Sequence, residues 1–131
     1  MNVVIAGHFN PLTVGHLQLI RAAQSLGDTL TVIVANDVQA LSKKGHTILP
    51  LADRMTILSH IVGVNYVIPS IDTDASVKET LRLIKPDIFA SGCSETDPDA
   101  IEEAEVCREL GIKMVFGVGG KKIRNSSDIV K

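Results

Sequence analysis

Cysteine is scarce in this chain: Cys93 and Cys107 are the only two in 131 residues. They form no framework of bridges, so a reducing compartment is the expectation. Long hydrophobic runs are missing as well. The first apolar run, Val3–Ala6, is far too short for a membrane span or for the apolar segment of a signal peptide. The chain therefore reads as cytoplasmic, with no membrane partner. Excess positive charge is also lacking. The formal net charge is −2, which removes the general electrostatic footprint of nucleic-acid binding. Basic residues are only local, at Lys43-Lys44 and at Lys121-Lys122 with Arg124, where small anions are the natural partners. No repeat, low-complexity tract or linker interrupts the sequence, so residues 1–131 are expected to form one domain. That length can bury a core without disulfide or metal staples.

What is present is an alternation of short β-branched runs with helical stripes. Val3–Ala6 and Leu30–Ala35 read as buried strands. Leu19, Ile20, Ala23 and Leu26 form a helical stripe that Gly27 can end. Pro50 opens the next helix, with Met55, Leu58, Ile61 and Val62 on its apolar face. Tyr66–Ile68 is a third strand closed by Pro69. Val77, Thr80, Leu81 and Ile84 mark a helix stopped by Lys85-Pro86. Asp87–Ser91 is the fourth strand, and Asp97-Pro98 starts a helix that Gly111 ends. Lys113–Val118 is a fifth strand, and the tail from Arg124 suits a last short helix. The expected fold is α/β: a Rossmann-like, doubly wound, five-stranded parallel sheet with helices on both faces. Ligands of such sheets bind beyond the carboxyl ends of the strands, near the switch point.

The loop after the first strand carries the chemistry. It runs Gly7-His8-Phe9-Asn10-Pro11-Leu12-Thr13-Val14-Gly15-His16 and leads into a helix. Free backbone N–H groups and the helix dipole make such a start an anion site. Gly15 removes a Cβ where a phosphate would approach, Thr13 offers a hydroxyl and His16 an imidazole N–H. The helix end disfavours a protonated imidazole until an anion arrives. Neither the spaced glycines of a dinucleotide site nor a G-x-x-x-x-G-K-[ST] loop is present. His8, His16 and His46 match no familiar zinc spacing, so no metal ligands are assigned.

This loop resembles the G-x-F-[DN]-x-x-[HT]-x-G-H signature of the cytidylyltransferase-like nucleotidyltransferases, with Gly7, Phe9, Asn10, Thr13, Gly15 and His16 matching. Thr13 in place of a first histidine is similar to phosphopantetheine adenylyltransferase. Asn36-Asp37 followed by Lys43-Lys44-Gly45 resembles the segment that brings a lysine to the phosphates. Pro50–Met55 and Lys85–Gly92 are similar to heptose-phosphate enzymes, the latter also to archaeal FAD synthases. Arg124-Asn125-Ser126-Ser127 resembles the closing serine/threonine motif. His8, Asn10, Cys93-Ser94 and the missing glycine before Ser126 depart from the common pattern.

The resemblance implies an enzyme that moves a nucleoside monophosphate from ATP or CTP to a small phosphorylated acceptor. A sugar phosphate is the first expectation; FMN, glycerol 3-phosphate and phosphopantetheine stay open. So does a non-catalytic nucleotide-binding module. The implied catalytic residues are His16, Thr13, Lys44 and Arg54. Gly7, His8, Phe9, Asn10, Gly15, Lys43, Gly92, Arg124, Ser126 and Ser127 would bind nucleotide. Without the resemblance, Arg54 would read as a surface arginine paired with an acid. Mg²⁺ would accompany the triphosphate, and a homodimer is compatible with the family.

Overall fold

Successive residues of the first strand face opposite sides, and at its centre Val3, Val4 and Ile5 are all apolar and each fully buried. A strand of this kind must lie inside a sheet covered on both faces. In the computed structural model, which describes residues 1–9, 13–37, 50–73, 76–92 and 98–118 (only the backbone over 98–102), it does so. The described elements are β1 (Asn2–Gly7), α1 (Val14–Gln24), β2 (Thr29–Val34), α2 (Leu51–Ser59), β3 (Tyr66–Pro69), α3 (Lys78–Ile84), β4 (Ile88–Ala90), α4 (Pro98–Leu110) and β5 (Lys113–Val115). The sheet order is β3-β2-β1-β4-β5, and every pairing is parallel. The winding reverses between β1 and β4, so the carboxyl ends of these two strands flank the switch point. The expected five-stranded, doubly wound α/β architecture is the one found.

Each face has its own core. Val3 and Ile5 of β1 pack with Ile20 and Ala23 of α1, Val32 and Val34 of β2, and Leu58 of α2. Val4 packs on the other side with Ile33, Leu81 of α3, and Val106 and Cys107 of α4. One helix pair thus covers each face.

Several boundaries differ from expectation for local reasons. Helix α1 ends at Gln24 with Ser25 as its cap, two residues before Gly27. Gly27 serves close packing instead: a Cβ there would lie 2.6 Å from the Met1 carbonyl oxygen and 2.7 Å from Val3 Cγ2. Pro69 lies inside β3 rather than closing it, opposite Val34. An edge strand tolerates proline because its missing N–H would face outward. As an edge strand β3 is also not buried on both faces, and Tyr66 is exposed. Val62 falls beyond the end of α2 and is 92% exposed, so it leaves the apolar face assigned to it. Strand β5 stops at Val115 because its partner β4 stops at Ala90. Gly111, with φ of 74°, ends α4 as expected. The Ile112 N–H reaches the Cys107 carbonyl and the Gly111 N–H that of Arg108, the Schellman closure that a left-handed glycine permits. The tail from Arg124 lies outside the described residues.

A buried polar network fixes the β3–α3 connection. The Asp72 carboxylate accepts the Glu79 N–H at 2.9 Å, the Thr80 N–H at 3.1 Å and the Thr80 hydroxyl at 2.6 Å, capping α3 from a distance. The Asn36 side-chain amide donates to the carbonyls of Ser70 and Asp72 and ties this connection to the end of β2.

Burial among apolar neighbours pushes the Cys107 thiol up to about 11, with Glu103 adding to the effect. The folded chain thus holds this proton to a higher pH than the unfolded chain, whose thiol titrates near 9.0. Cys107 should therefore subtract stability as pH rises through that window. Urea unfolding at pH 8 and pH 10 should show a drop that shrinks in Cys107→Ala. An identical drop in both proteins would contradict this placement of the thiol.

Candidate active site

The start of α1 is closed by a compact polar arrangement. Thr13 is extended, with φ of −127° and ψ of 172°, and forms the N-cap of α1. Its backbone N–H donates to Nδ1 of His16 at 2.9 Å. A capping box normally uses Glu or Gln three residues on; here His16 takes that part. A backbone N–H can only donate, so Nδ1 must present its lone pair. The neutral ring then carries its proton on Nε2. The Thr13 hydroxyl also lies 3.2 Å from Nδ1 and reinforces that orientation. No acidic side chain occupies the first turn of α1, so its positive end is left for an anion. Gly15 sits in that first turn, between the cap and His16.

Phe9 locks the ring from the other side. It is buried, and its ring meets the His16 imidazole edge-on, with centroids 4.9 Å apart at 62°. Its φ of 51° is a left-handed conformation that bulky side chains rarely adopt. Such strain persists only where the surroundings hold it. Gly7 makes room for it, since a Cβ at Gly7 would lie 3.0 Å from Phe9 Cζ.

Arg54 lies elsewhere than expected. It is on α2 and buried, with its side chain entirely out of solvent. Nη1 donates to the carbonyls of His8 at 2.9 Å and Ala35 at 2.5 Å, and Nη2 donates to Asp37 Oδ1 at 2.7 Å. These bonds replace the surface ion pair that the residue alone suggests with one whose guanidinium is buried. A desolvated guanidinium needs several partners, and here they are protein groups beneath the loop.

The structure thus brings Gly7, His8, Phe9, Thr13, Gly15 and His16 together at the carboxyl end of β1, with Arg54 beneath. Gly92 follows Ser91 at the end of β4, across the switch point from Gly7. Asn10, Lys43, Lys44, Arg124, Ser126 and Ser127 lie outside the described residues, as do His46 and Cys93. His60 is exposed, its Nδ1 2.9 Å from the Thr56 carbonyl oxygen, and stands apart from this site. Asp37 is the residue whose part sequence reasoning missed. An arginine in an early helical turn and an aspartate at the end of a strand were its only signal.

The domain thus sets a helix start at the switch point of a doubly wound parallel sheet, with an imidazole whose Nδ1 is taken by a backbone N–H. The sequence profile of the cytidylyltransferase-like family matches residues 4–118, and the chain belongs to that family. Similar proteins include the FAD synthase of Pyrococcus abyssi, 36% identical over 115 residues, which are 87% of this chain and 76% of that protein. The bifunctional protein HldE of Desulfatibacillum aliphaticivorans is 31% identical over 87% of this chain, which spans only 23% of HldE. Among solved structures, a lipopolysaccharide core biosynthesis protein from Thermoplasma volcanium superimposes with a TM-score of 0.77 at 26% identity, covering 95% of this chain and 98% of that one. The chain is thus a nucleotidyltransferase by family.

Gly7→Ala should force the Phe9 ring to move and carry His16 with it, while Gly27→Ala strains the amino end of β1 at Met1 and Val3. Both should lose about 1–3 kcal/mol in denaturant unfolding. Titration calorimetry with ATP or CTP should show weaker binding for Gly7→Ala alone. Equal affinities in the two variants would contradict the link from Gly7 through Phe9 to His16.

Proposed function

We propose that this enzyme transfers a nucleoside monophosphate from ATP or CTP to a small phosphate monoester and releases pyrophosphate. The observation that carries this reading is the His16 imidazole, fixed as an Nε2–H donor in the first turn of α1 at the switch point. A phosphate monoester carries a charge of about −1.5 to −2 near neutral pH and needs no general base. An acceptor oxygen attacks the α-phosphorus in line. The new phosphoanhydride bond forms as the bond to the β-phosphate oxygen breaks, and that oxygen leaves with pyrophosphate. The barrier comes from anion repulsion and from charge growing on the leaving group. Positioned donors therefore supply most of the rate.

The His16 Nε2–H and the Thr13 hydroxyl would bind the α- and β-phosphates, beside the N–H groups of the α1 start. Gly7, His8, Phe9, Asn10, Gly15 and Gly92 would frame the nucleotide. Lys43 or Lys44 would hold the acceptor phosphate or the transferring group. Arg124, Ser126 and Ser127 would meet the β/γ-phosphates. Mg²⁺ would enter as part of the triphosphate substrate and screen its charge.

A sugar phosphate is the first acceptor. It is supported by the likeness to HldE and to the lipopolysaccharide core biosynthesis protein. FMN is the second, supported by the relatives named FAD synthase, one of which is 36% identical over most of this chain.

Pyrophosphate release from ATP and CTP against a panel of sugar phosphates and FMN tests the reading, with His16→Asn alongside. The asparagine carbonyl can still accept the Thr13 N–H, but the variant lacks the Nε2 donor. It should fold normally and lose about 10²–10³-fold in turnover. Full turnover in His16→Asn would remove His16 from the mechanism. Silence of the unaltered enzyme across the panel would remove the proposed acceptors.

A further inference from the structure

Where β1 and β2 part, their carbonyls run out of ladder partners. The last rung is the Ala35 N–H donating to the Gly7 carbonyl at 2.8 Å. The His8 and Ala35 carbonyls lie just past it. A buried carbonyl left without a donor costs about 1–3 kcal/mol. One nitrogen of Arg54, Nη1, meets both, while Nη2 binds Asp37 Oδ1. The same aspartate oxygen accepts the Leu51 N–H at 3.1 Å and so fixes the start of the helix that carries Arg54. The residue after His8 is Phe9, with its left-handed backbone and its ring against His16. Contact therefore runs unbroken from Arg54 to the His8 carbonyl, to the Phe9 turn and ring, and to the imidazole.

We propose that Arg54 is a positioning residue: by holding the His8 carbonyl it sets the Phe9 turn and, through the Phe9 ring, aims His16, without touching either substrate. The proposal rests on the reading of His16 as a phosphate donor. The geometry demands a planar fork that reaches two carbonyls and a carboxylate at once. Lysine keeps the charge but presents a single compact ammonium. An error of about 1 Å in a positioned group can cost about a hundredfold in rate.

The test is Arg54→Lys in the 131-residue chain, with two readouts. In the ligand-free protein, the nuclear Overhauser contact between the Phe9 and His16 rings should weaken or vanish while the core methyl spectrum stays. In turnover, kcat should fall about tenfold to a hundredfold, with the triphosphate KM within about threefold. A raised KM with kcat retained would make Arg54 a direct phosphate ligand and overturn the proposal. So would an unaltered ring contact, whatever happens to turnover, or an altered contact with unaltered kcat. If the unaltered enzyme is silent with every acceptor, the transferase reading fails, and the ring contact still decides whether Arg54 aims His16. Should Arg54→Lys not fold, Asp37→Ala removes the carboxylate that accepts from Nη2 and from the Leu51 N–H while leaving both Nη1 bonds in place. It should weaken the same ring contact to a smaller degree, and an unaltered contact there overturns the proposal.

Discussion

The hydrogen bond from the Thr13 N–H to Nδ1 of His16 organises the helix start at the switch point of this protein. It starts α1, it orients a side chain, and it chooses a tautomer, all with one backbone proton. A helix start must satisfy or expose its first N–H groups. Most proteins use a carboxylate or amide for part of that task. Using an imidazole instead puts the remaining ring proton at the positive end of the helix, where an anion is favoured. The start of the helix and the aim of the imidazole are in this way set by the same contact.

The rest of the domain makes that contact rigid. Two apolar faces on one sheet, each covered by a helix pair, fix where β1 ends relative to β2 and β4. At the carboxyl edge the strands separate, and polar side chains take over from the ladder. Arg54 bridges the gap between β1 and β2, and Asn36 bridges the gap between β2 and the β3–α3 connection. Buried polar groups of this kind stabilise little on balance when paired, but removing one partner leaves a costly orphan. They therefore hold the geometry of the carboxyl edge of the sheet.

Much of this was legible in the sequence. Short continuous apolar, β-branched runs marked the strands, and helical stripes with Gly and Pro punctuation marked the helices. The gathering of Gly7, Phe9, Thr13, Gly15 and His16 was legible because each answers a local need within ten residues. The burial of Arg54 was not. Its partners His8, Ala35 and Asp37 are between 17 and 46 positions away in sequence, and a local pattern cannot tell a buried guanidinium from an exposed one. Val62 misled because helical periodicity continues on paper past the point where α2 ends. Pro69 misled because its tolerance depends on β3 being an edge strand, a property of sheet order and not of the strand itself.

The most direct measurement of the central claim is the tautomer of His16, read from long-range nitrogen–proton couplings in uniformly ¹⁵N-labelled protein near neutral pH. The account predicts a bare Nδ1 and a protonated Nε2 in the free enzyme, with the Nε2 resonance moving when ATP or CTP is added. A proton on Nδ1, or an imidazole indifferent to both nucleotides, would contradict it.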